Sequence, residues 1–390
     1  MMSIRNLIIK ISKIMYTLVI LFTIIKGNYI FAQDIDNKKI ADSYNIENVI
    51  SLFNSYIDEN NIKEFDANLV FNELIESNGK VNDNIIKSSL NFIFEQINTN
   101  LKEVLTIFLI IVLSAILNNI ELDENSEVTK ITKLVIYISL SSILIKNYIS
   151  TIVVFKEIIN KLTTILQTVS TFLIGVVVAI GKVSSSTVIE SSILCISNIV
   201  CYVVDYIVIP CFSVSIVVNI ISKISDNIKL TSLSTLFRKS SLYIFITMIG
   251  IMLSVLKLET TITSSMDSLT YKTAQDVVSN VVPVVGGFLS DSLDTVISST
   301  KFIGKVGGVF SIICTGIIVL NPIIKILSIV IVYSIIIAIS EPINGDKNIQ
   351  EILSEFVKLY KDILGIIIGV MVVFVISTAV IMAIIGNIGG

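Results

Sequence analysis

The sequence predicts an all-α, polytopic membrane protein. Of its 390 residues, 53% are hydrophobic and 15% are charged, and the mean hydropathy is +0.88, whereas an ordinary soluble domain is about 25% charged. The apolar residues lie in repeated runs of roughly 18 or more, the length at which a helix crosses the hydrocarbon core of a bilayer. These observations establish the class of the protein before any motif is considered.

Residues 1–32 have the three-part layout of a secretory signal peptide. Three basic residues precede a short apolar core at 15–25, which is followed by polar residues and Ala32. Cleavage is expected after Ala32, and an uncleaved membrane anchor is the alternative.

Residues 33–103 predict an acidic helical region on the extracytoplasmic side. They include 13 acidic residues and 6 lysines, and translocated segments tend to be poor in positive charge. Apolar residues recur at helical spacing from Ile46 to Ile57 and again from Ile85 to Leu101. The region is too small and too sparsely apolar to predict an independent enzyme domain.

Residues 104–390 predict a polytopic transmembrane domain with seven candidate membrane segments. These are 104–120, 134–154, 163–181, 193–221, 240–257, 306–340 and 363–385. Two of them are longer than one span requires, and each has a proline near its middle, Pro210 and Pro322. Because proline removes a backbone donor and clashes with the preceding turn, both segments should be kinked or broken. Each could be one kinked helix or two shorter pieces.

The two prolines belong to a weak internal repeat, which predicts two related halves at 163–257 and 275–385. At a similar distance beyond each proline, "LSTLFRKSSLYIFITMIGIMLSV" is matched by "ILSEFVKLYKDILGIIIGVMVVF". The basic segment 222–240 favours the cytoplasmic side. That sidedness requires 163–187 to enter the membrane and return on the same side, and the repeat predicts a similar re-entrant element near Pro283.

The stretch "NVVPVVGGFLSDSLDTVISSTKFIGKVGG" predicts a helix break followed by an amphipathic helix. Pro283 and the pair Gly286 and Gly287 would break a helix at membrane depth, and the following helix should end at 307–308. Asp291 and Asp294 lie on its polar face. A catalytic acid pair is disfavoured, because both acids share one helical face with lysines downstream.

The composition gives no support for catalysis. The chain has no His, which excludes His-based acid–base chemistry and His-ligated metal sites. Its four cysteines lie in apolar runs without C-x-x-C spacing and are expected to be small buried apolar residues. We expect no enzyme activity, catalytic residue, cofactor, metal or nucleic-acid partner.

Two charges lie deepest in apolar surroundings, Asp205 before Pro210 and Lys325 after Pro322. Intramembrane charges usually face the protein interior and pair, so the sequence predicts an ion pair between Asp205 and Lys325, unless Lys325 extends to the membrane surface instead. Broken helices at corresponding places in two halves indicate a transport path. The predicted pore or polar intramembrane residues are Asp205, Pro210, Pro283, Gly286, Gly287, Asp291, Asp294, Pro322 and Lys325.

The succession "TYKTAQDVVSNVVPVVGGFLSDSLDTV" and "GKVGGVFSIICTGIIVLNPIIKILSIVIVYSIIIAISEPI" resembles the stage III sporulation protein AE family of endospore-forming bacteria. The resemblance is most specific from Tyr271 to Pro342. It implies a multi-pass protein of the mother-cell membrane surrounding the forespore, belonging to the transenvelope complex, or feeding tube, that links the two cells. Within that complex the family is expected to provide a channel-like or permease-like part.

The resemblance also implies the partners of the protein. These are the other stage III sporulation proteins of the same operon, stage II sporulation protein Q in the forespore membrane, and membrane lipid. The alternative function is that of a structural membrane scaffold, which assembles the same complex and transports nothing.

Overall fold

The computed structural model describes residues 46–59, 65–77, 127–224, 230–281, 286–340 and 347–386, and every regular element in them is helical. The helices are α1 Ile46–Glu59, α2 Ala67–Glu76, α3 Glu127–Ala179, α4 Val183–Val203, α5 Ile209–Ile224, α6 Thr231–Val281, α7 Gly286–Ser340 and α8 Lys347–Gly386, with a π-helical turn, Val204–Val208, between α4 and α5. Five stretches of these helices are long and apolar enough to cross a membrane. The predicted all-α class is confirmed for this part of the chain, which has five candidate membrane-spanning stretches.

Helix α3 is a single helix of 53 residues, so the prediction of separate segments at 134–154 and 163–181 is wrong. The connecting sequence contains no Gly or Pro that would end a helix. Glu157 and Lys161 stand four residues apart within it, and their side chains pair at 2.7 Å. Such a pair stabilises a continuous helix.

A glycine turn ends α3 and reverses the chain. Gly181 has a φ of +85°, a conformation that glycine adopts without steric cost. The Gly181 N–H donates to the Val178 carbonyl at 2.9 Å, and the Lys182 N–H donates to the Val177 carbonyl at 3.1 Å. This pair of bonds is a Schellman motif, which satisfies the last carbonyls of the helix.

After this turn α4 and α5 run antiparallel to α3. The Gln167 side-chain amide donates to Ser197, and further along the pair Tyr148 bonds Ser213. Residues 163–187 form the tip of this helical hairpin. Their predicted re-entry into the membrane from one side stays a prediction.

The two prolines have different outcomes. Pro210 follows the π-helical turn Val204–Val208, in which the backbone widens just where proline cannot donate its helical hydrogen bond. The predicted irregularity is therefore confirmed there. Pro322 lies inside α7, a single helix of 55 residues that ends at Ser340. The two-piece alternative for 306–340 is therefore wrong.

Helix α7 also continues through Gly307 and Gly308, where the amphipathic helix was predicted to end. The absent side chains serve packing instead. A Cβ atom on Gly307 would lie 2.3 Å from the Phe172 ring of α3, and one on Gly308 would lie 2.4 Å from Met382 Sδ of α8. Small residues let helices approach closely in this way.

Helices α3, α7 and α8 form the centre of the bundle. Helix α6 packs against α4, α5 and α8, and α4 packs against α3, whereas α1 packs against α3 and α7 and α2 packs against α7 and α1. The buried residues of α1 are Ile46, Val49, Phe53 and Ile57, which confirms the helical pattern predicted there. Helices α1 and α2 belong to the region 33–103, whose extracytoplasmic side stays a prediction.

Some predictions fall outside the described residues. The signal peptide 1–32, the helical pattern ending at Leu101, the segment 104–120 and Pro283 are among them. Gly286 and Gly287 open α7. Asp291 and Asp294 lie in α7, but their side chains are not among the described parts of the structure.

Candidate functional site

Five of the helical stretches that contain no Asp, Glu, Lys or Arg lie side by side. They are 162–179 in α3, 191–204 in α4 and the π-helical turn, 240–256 in α6, 306–324 in α7 and 363–386 in α8. At 1.5 Å per residue each is about 20 to 35 Å long, close to the ~30 Å thickness of a hydrocarbon core. We call this region the charge-free layer.

Polar contacts fix the alignment of these stretches at both ends of the layer. At one end, Lys182 Nζ donates to the carbonyl of Ile384 in α8. At the other end, Lys161 of α3 lines a cavity together with Lys325 of α7. Charged side chains therefore bound the layer on both sides.

The second boundary crosses the middle of α3 and forms a polar belt. Its members are Lys156, Glu157, Asn160 and Lys161 of α3, Glu59 of α1, Asp205 of the π-helical turn, and Asn321 and Lys325 of α7. The four residues of α3 follow one another within two helical turns. They therefore project toward α4 on one side and toward α1 and α7 on the other.

On the α4 side, Lys156 Nζ lies 3.1 Å from Asp205 Oδ2. The predicted pair between Asp205 and Lys325 is therefore wrong, since Asp205 pairs with α3 and Lys325 lies across a different face of that helix. The predicted pair was wrong because residues 155–162 were assigned to a loop between two membrane spans. Lys156 would lie outside the membrane on such a loop and could not pair with Asp205.

On the other side, Lys161 is buried, with 9% of its side chain exposed. Its Nζ atom lies 2.7 Å from Glu157 and 3.0 Å from Glu59, and 5.3 Å from the centre of the Tyr56 ring. A buried ammonium group is tolerated only where opposite charge and hydrogen bonds compensate its lost hydration. The two carboxylates provide that compensation and tie α1 to α3.

A polar cavity of about 170 Å³ opens beside this lysine. Its polar wall is formed by Glu157, Lys161, Asn321 and Lys325, with Pro322 between the last two. None of the ion pairs between described residues includes Lys325. The predicted residues Pro322 and Lys325 thus meet in one cavity, which is large enough for several water molecules.

The sequence did not predict the other six residues of the belt, among them Lys156, Glu157 and Lys161 of α3. The signal that could have found them is the spacing of Glu157 and Lys161. An acid four residues before a lysine is typical of a continuous helix, and such a helix would have carried these charges into the bundle.

A second charged cluster lies on the same side of the layer, where α5, α6 and α8 meet. Arg238 of α6 donates to Asp362, and its Nε atom lies 3.8 Å from Glu355 Oε2. Asn219 is only 2% exposed, and both atoms of its side-chain amide lack a hydrogen-bond partner among the described residues. We call Asn219, Arg238, Glu355 and Asp362 the Arg238 cluster.

Helices α1 and α2 lie at the depth of the charge-free layer. The rings of Phe53 and Phe71 pack edge-on against Phe310, with centroids 5.5 and 5.2 Å away, and Phe310 lies inside the charge-free stretch of α7. The opposite face of α1 is polar and exposed, and it includes Glu47 and Asn48 as well as Ser51 and Ser55, whose hydroxyls bond carbonyls of their own helix. Lipid cannot satisfy such a face at this depth.

The fold and the site together define a multi-pass α-helical membrane protein that has a polar side at the depth of its apolar layer. The family profile described as stage III sporulation protein AE matches residues 65–385. The chain therefore belongs to the stage III sporulation protein AE family, as the resemblance of its motifs predicted.

The chain is 24% identical over 261 residues to the stage III sporulation protein AE of Bacillus subtilis (strain 168), and the alignment covers 67% of this chain and 65% of that protein. No solved structure matches the chain.

Proposed function

We propose that this protein is the channel-like or permease-like membrane component of the complex that links mother cell and forespore. It lies in the mother-cell membrane around the forespore. Its partners are other stage III sporulation proteins of the same operon and stage II sporulation protein Q in the forespore membrane. Membership in the stage III sporulation protein AE family supports this place in sporulation.

The observation that carries the conduit is the polar face of α1 at the depth of the charge-free layer. Polar groups at membrane depth are stable only where they face water or protein. A water-filled path beside α1 satisfies that requirement, and it continues to the cavity lined by Lys325 at the edge of the layer. The path opens to the extracytoplasmic side, the side that the sequence predicts for residues 33–103, the region to which α1 and α2 belong.

The second candidate is a scaffold that transports nothing, and the pairing of Lys161 favours it. Two carboxylates compensate this lysine and fasten α1 to the bundle. In a scaffold these charges hold helices together, and the cavity beside Lys325 has no role. The two functions therefore differ in the expected effect of changing Lys325.

Lys325→Met is expected to lower spore yield at least about tenfold, because a cation that lines a conduit concentrates its substrate by about that factor or more. Protein folding should be unaffected, since no described carboxylate pairs with Lys325. Spore counts, with the protein level in the membrane measured by immunoblot, check the prediction. Lys325→Arg keeps the charge and should sporulate normally.

The matched control is Lys146→Met, which removes an exposed lysine of α3 outside the belt. Its spore yield should equal that of the wild type. If Lys325→Met also sporulates normally while Lys161→Met does not, the conduit is wrong and the scaffold stands.

A further inference from the structure

We propose that an apolar groove between α4 and α6 binds one acyl chain of an anionic phospholipid, with the headgroup at Lys239. The groove has a volume of about 740 Å³, within the range of small-molecule sites in proteins. The lining of the groove includes no residue of α1 or of the polar belt, and the proposal does not depend on the conduit.

The groove lies entirely within the charge-free layer. Helix α4 lines it from Ser192 to Ile199 and α6 lines it from Tyr243 to Val255. The α6 wall is about 18 Å long, and one leaflet of the hydrocarbon core is about 15 Å thick. A chain entering from the edge of the layer would therefore be covered along the depth of its leaflet. Cys195 is exposed on this wall, so the prediction that it is buried is wrong.

Exposed tyrosines mark one end of the groove. Tyr243 lines it and is 67% exposed. On α4, Tyr202 follows the lining residue Ile199 by one turn and stacks on Tyr206 with ring centroids 4.8 Å apart. Tyr202 and Tyr206 are 60% and 69% exposed. Because tyrosine concentrates where membrane meets water, this end of the groove lies at the level of lipid headgroups.

A cation stands at the same end. Lys239 is exposed, lies one helical turn before Tyr243, and takes part in none of the ion pairs between described residues. Its neighbour Arg238 points inward and binds Asp362. Lysines near a membrane surface attract anionic lipids, which are abundant in the cytoplasmic leaflet. The sequence predicts that side for the segment 222–240.

The first test uses phosphatidylglycerol or phosphatidylcholine with a photoactivatable diazirine on one acyl chain, added to purified full-length protein in detergent. We expect one phosphatidylglycerol adduct per chain, mapped by mass spectrometry to the α4 and α6 walls. Thr247→Trp fills the groove and should remove the adduct. Ile149→Trp, at an exposed position of α3, should leave it unchanged.

The second test addresses the headgroup. Lys239→Gln should lower phosphatidylglycerol labelling about fivefold, to the level of phosphatidylcholine, whereas Lys146→Gln should not change it. Equal labelling by the two lipids in the wild type, or no effect of Lys239→Gln, would overturn the proposal. So would adducts spread evenly over α3. A Cys195 disulfide dimer formed on oxidation in membranes would also overturn it, since a second copy would then occupy the groove.

Discussion

Replacing Arg238 by Met is expected to lower the free energy of unfolding by about 3 to 5 kcal/mol. The guanidinium group is 10% exposed and lies between Asp362 and Glu355, which are 19% and 14% exposed. Its removal leaves two carboxylates without their buried partner, and Met cannot hydrogen-bond either of them. Chemical and thermal unfolding of the purified protein in detergent micelles measure the effect.

The control and the rescue separate this charge effect from a packing effect. Lys239→Met changes the next residue, which is exposed, and should shift stability by no more than about 0.5 kcal/mol. Adding Glu355→Gln and Asp362→Asn to Arg238→Met removes the two carboxylates that lost Arg238 and should restore most of the loss. If the triple variant is no more stable than Arg238→Met alone, the loss of the cation beside these two carboxylates is not the cause.

Gly307→Val is expected to lower the free energy of unfolding by about 1 to 3 kcal/mol through overpacking. A Cβ atom at this position would stand 2.3 Å from the Phe172 ring, and that ring is 3% exposed and has little freedom to move. Helices α3 and α7 must then move apart, which also disturbs their packing within the charge-free layer. The same unfolding experiments measure the loss.

Gly316→Ala is the matched control on α7. Its added Cβ would meet only Met371 Cε at 3.7 Å, an ordinary contact, so stability should be unchanged or slightly higher. Combining Gly307→Val with Phe172→Ala makes room for the new side chain and should cost less than the two single changes added together. Strict additivity would show that Gly307 and Phe172 do not pack as described.

Local signals predicted the class of the protein and the buried face of α1, but not the bounds of the long helices. The apolar runs identify membrane helices because their length follows from the thickness of a bilayer. The four buried positions of α1 were visible because helical spacing places them on one face. The division of α3 failed because polar residues inside a long helix and polar residues in a link look alike in composition.

The glycine pair at Gly307 shows a second reason for failure. Glycine ends a helix in one setting and permits close helix packing in another, and both uses depend on the missing side chain. The presence of Phe172 opposite Gly307 decides between them. That neighbour is 135 positions away in the sequence, so no local pattern could reveal it.

The candidate site was predicted in part for the same reason. Asp205 and Lys325 were found because an isolated charge among apolar residues is visible in the sequence itself. Their partners were not, because the contact of Asp205 with Lys156 and the shared cavity of Lys325 and Lys161 arise from the order in which helices pack. The position of α1 against Phe310 likewise depends on non-local contacts.

The proposed conduit requires a water-filled path beside α1 at the depth of the membrane. Spin labels on single cysteines at Ser51 of α1 and at Ile251 of α6 test it most directly, in a variant without the native cysteines reconstituted into lipid vesicles. Both positions are exposed, and their access to oxygen and to a water-soluble nickel complex is compared by electron paramagnetic resonance.

We expect the label at Ser51 to meet the nickel complex and the label at Ile251 to meet mainly oxygen, as in lipid. If both labels meet the nickel complex, the charge-free layer lies outside the bilayer. If both meet only oxygen, no water reaches α1. Either of these results would contradict the account.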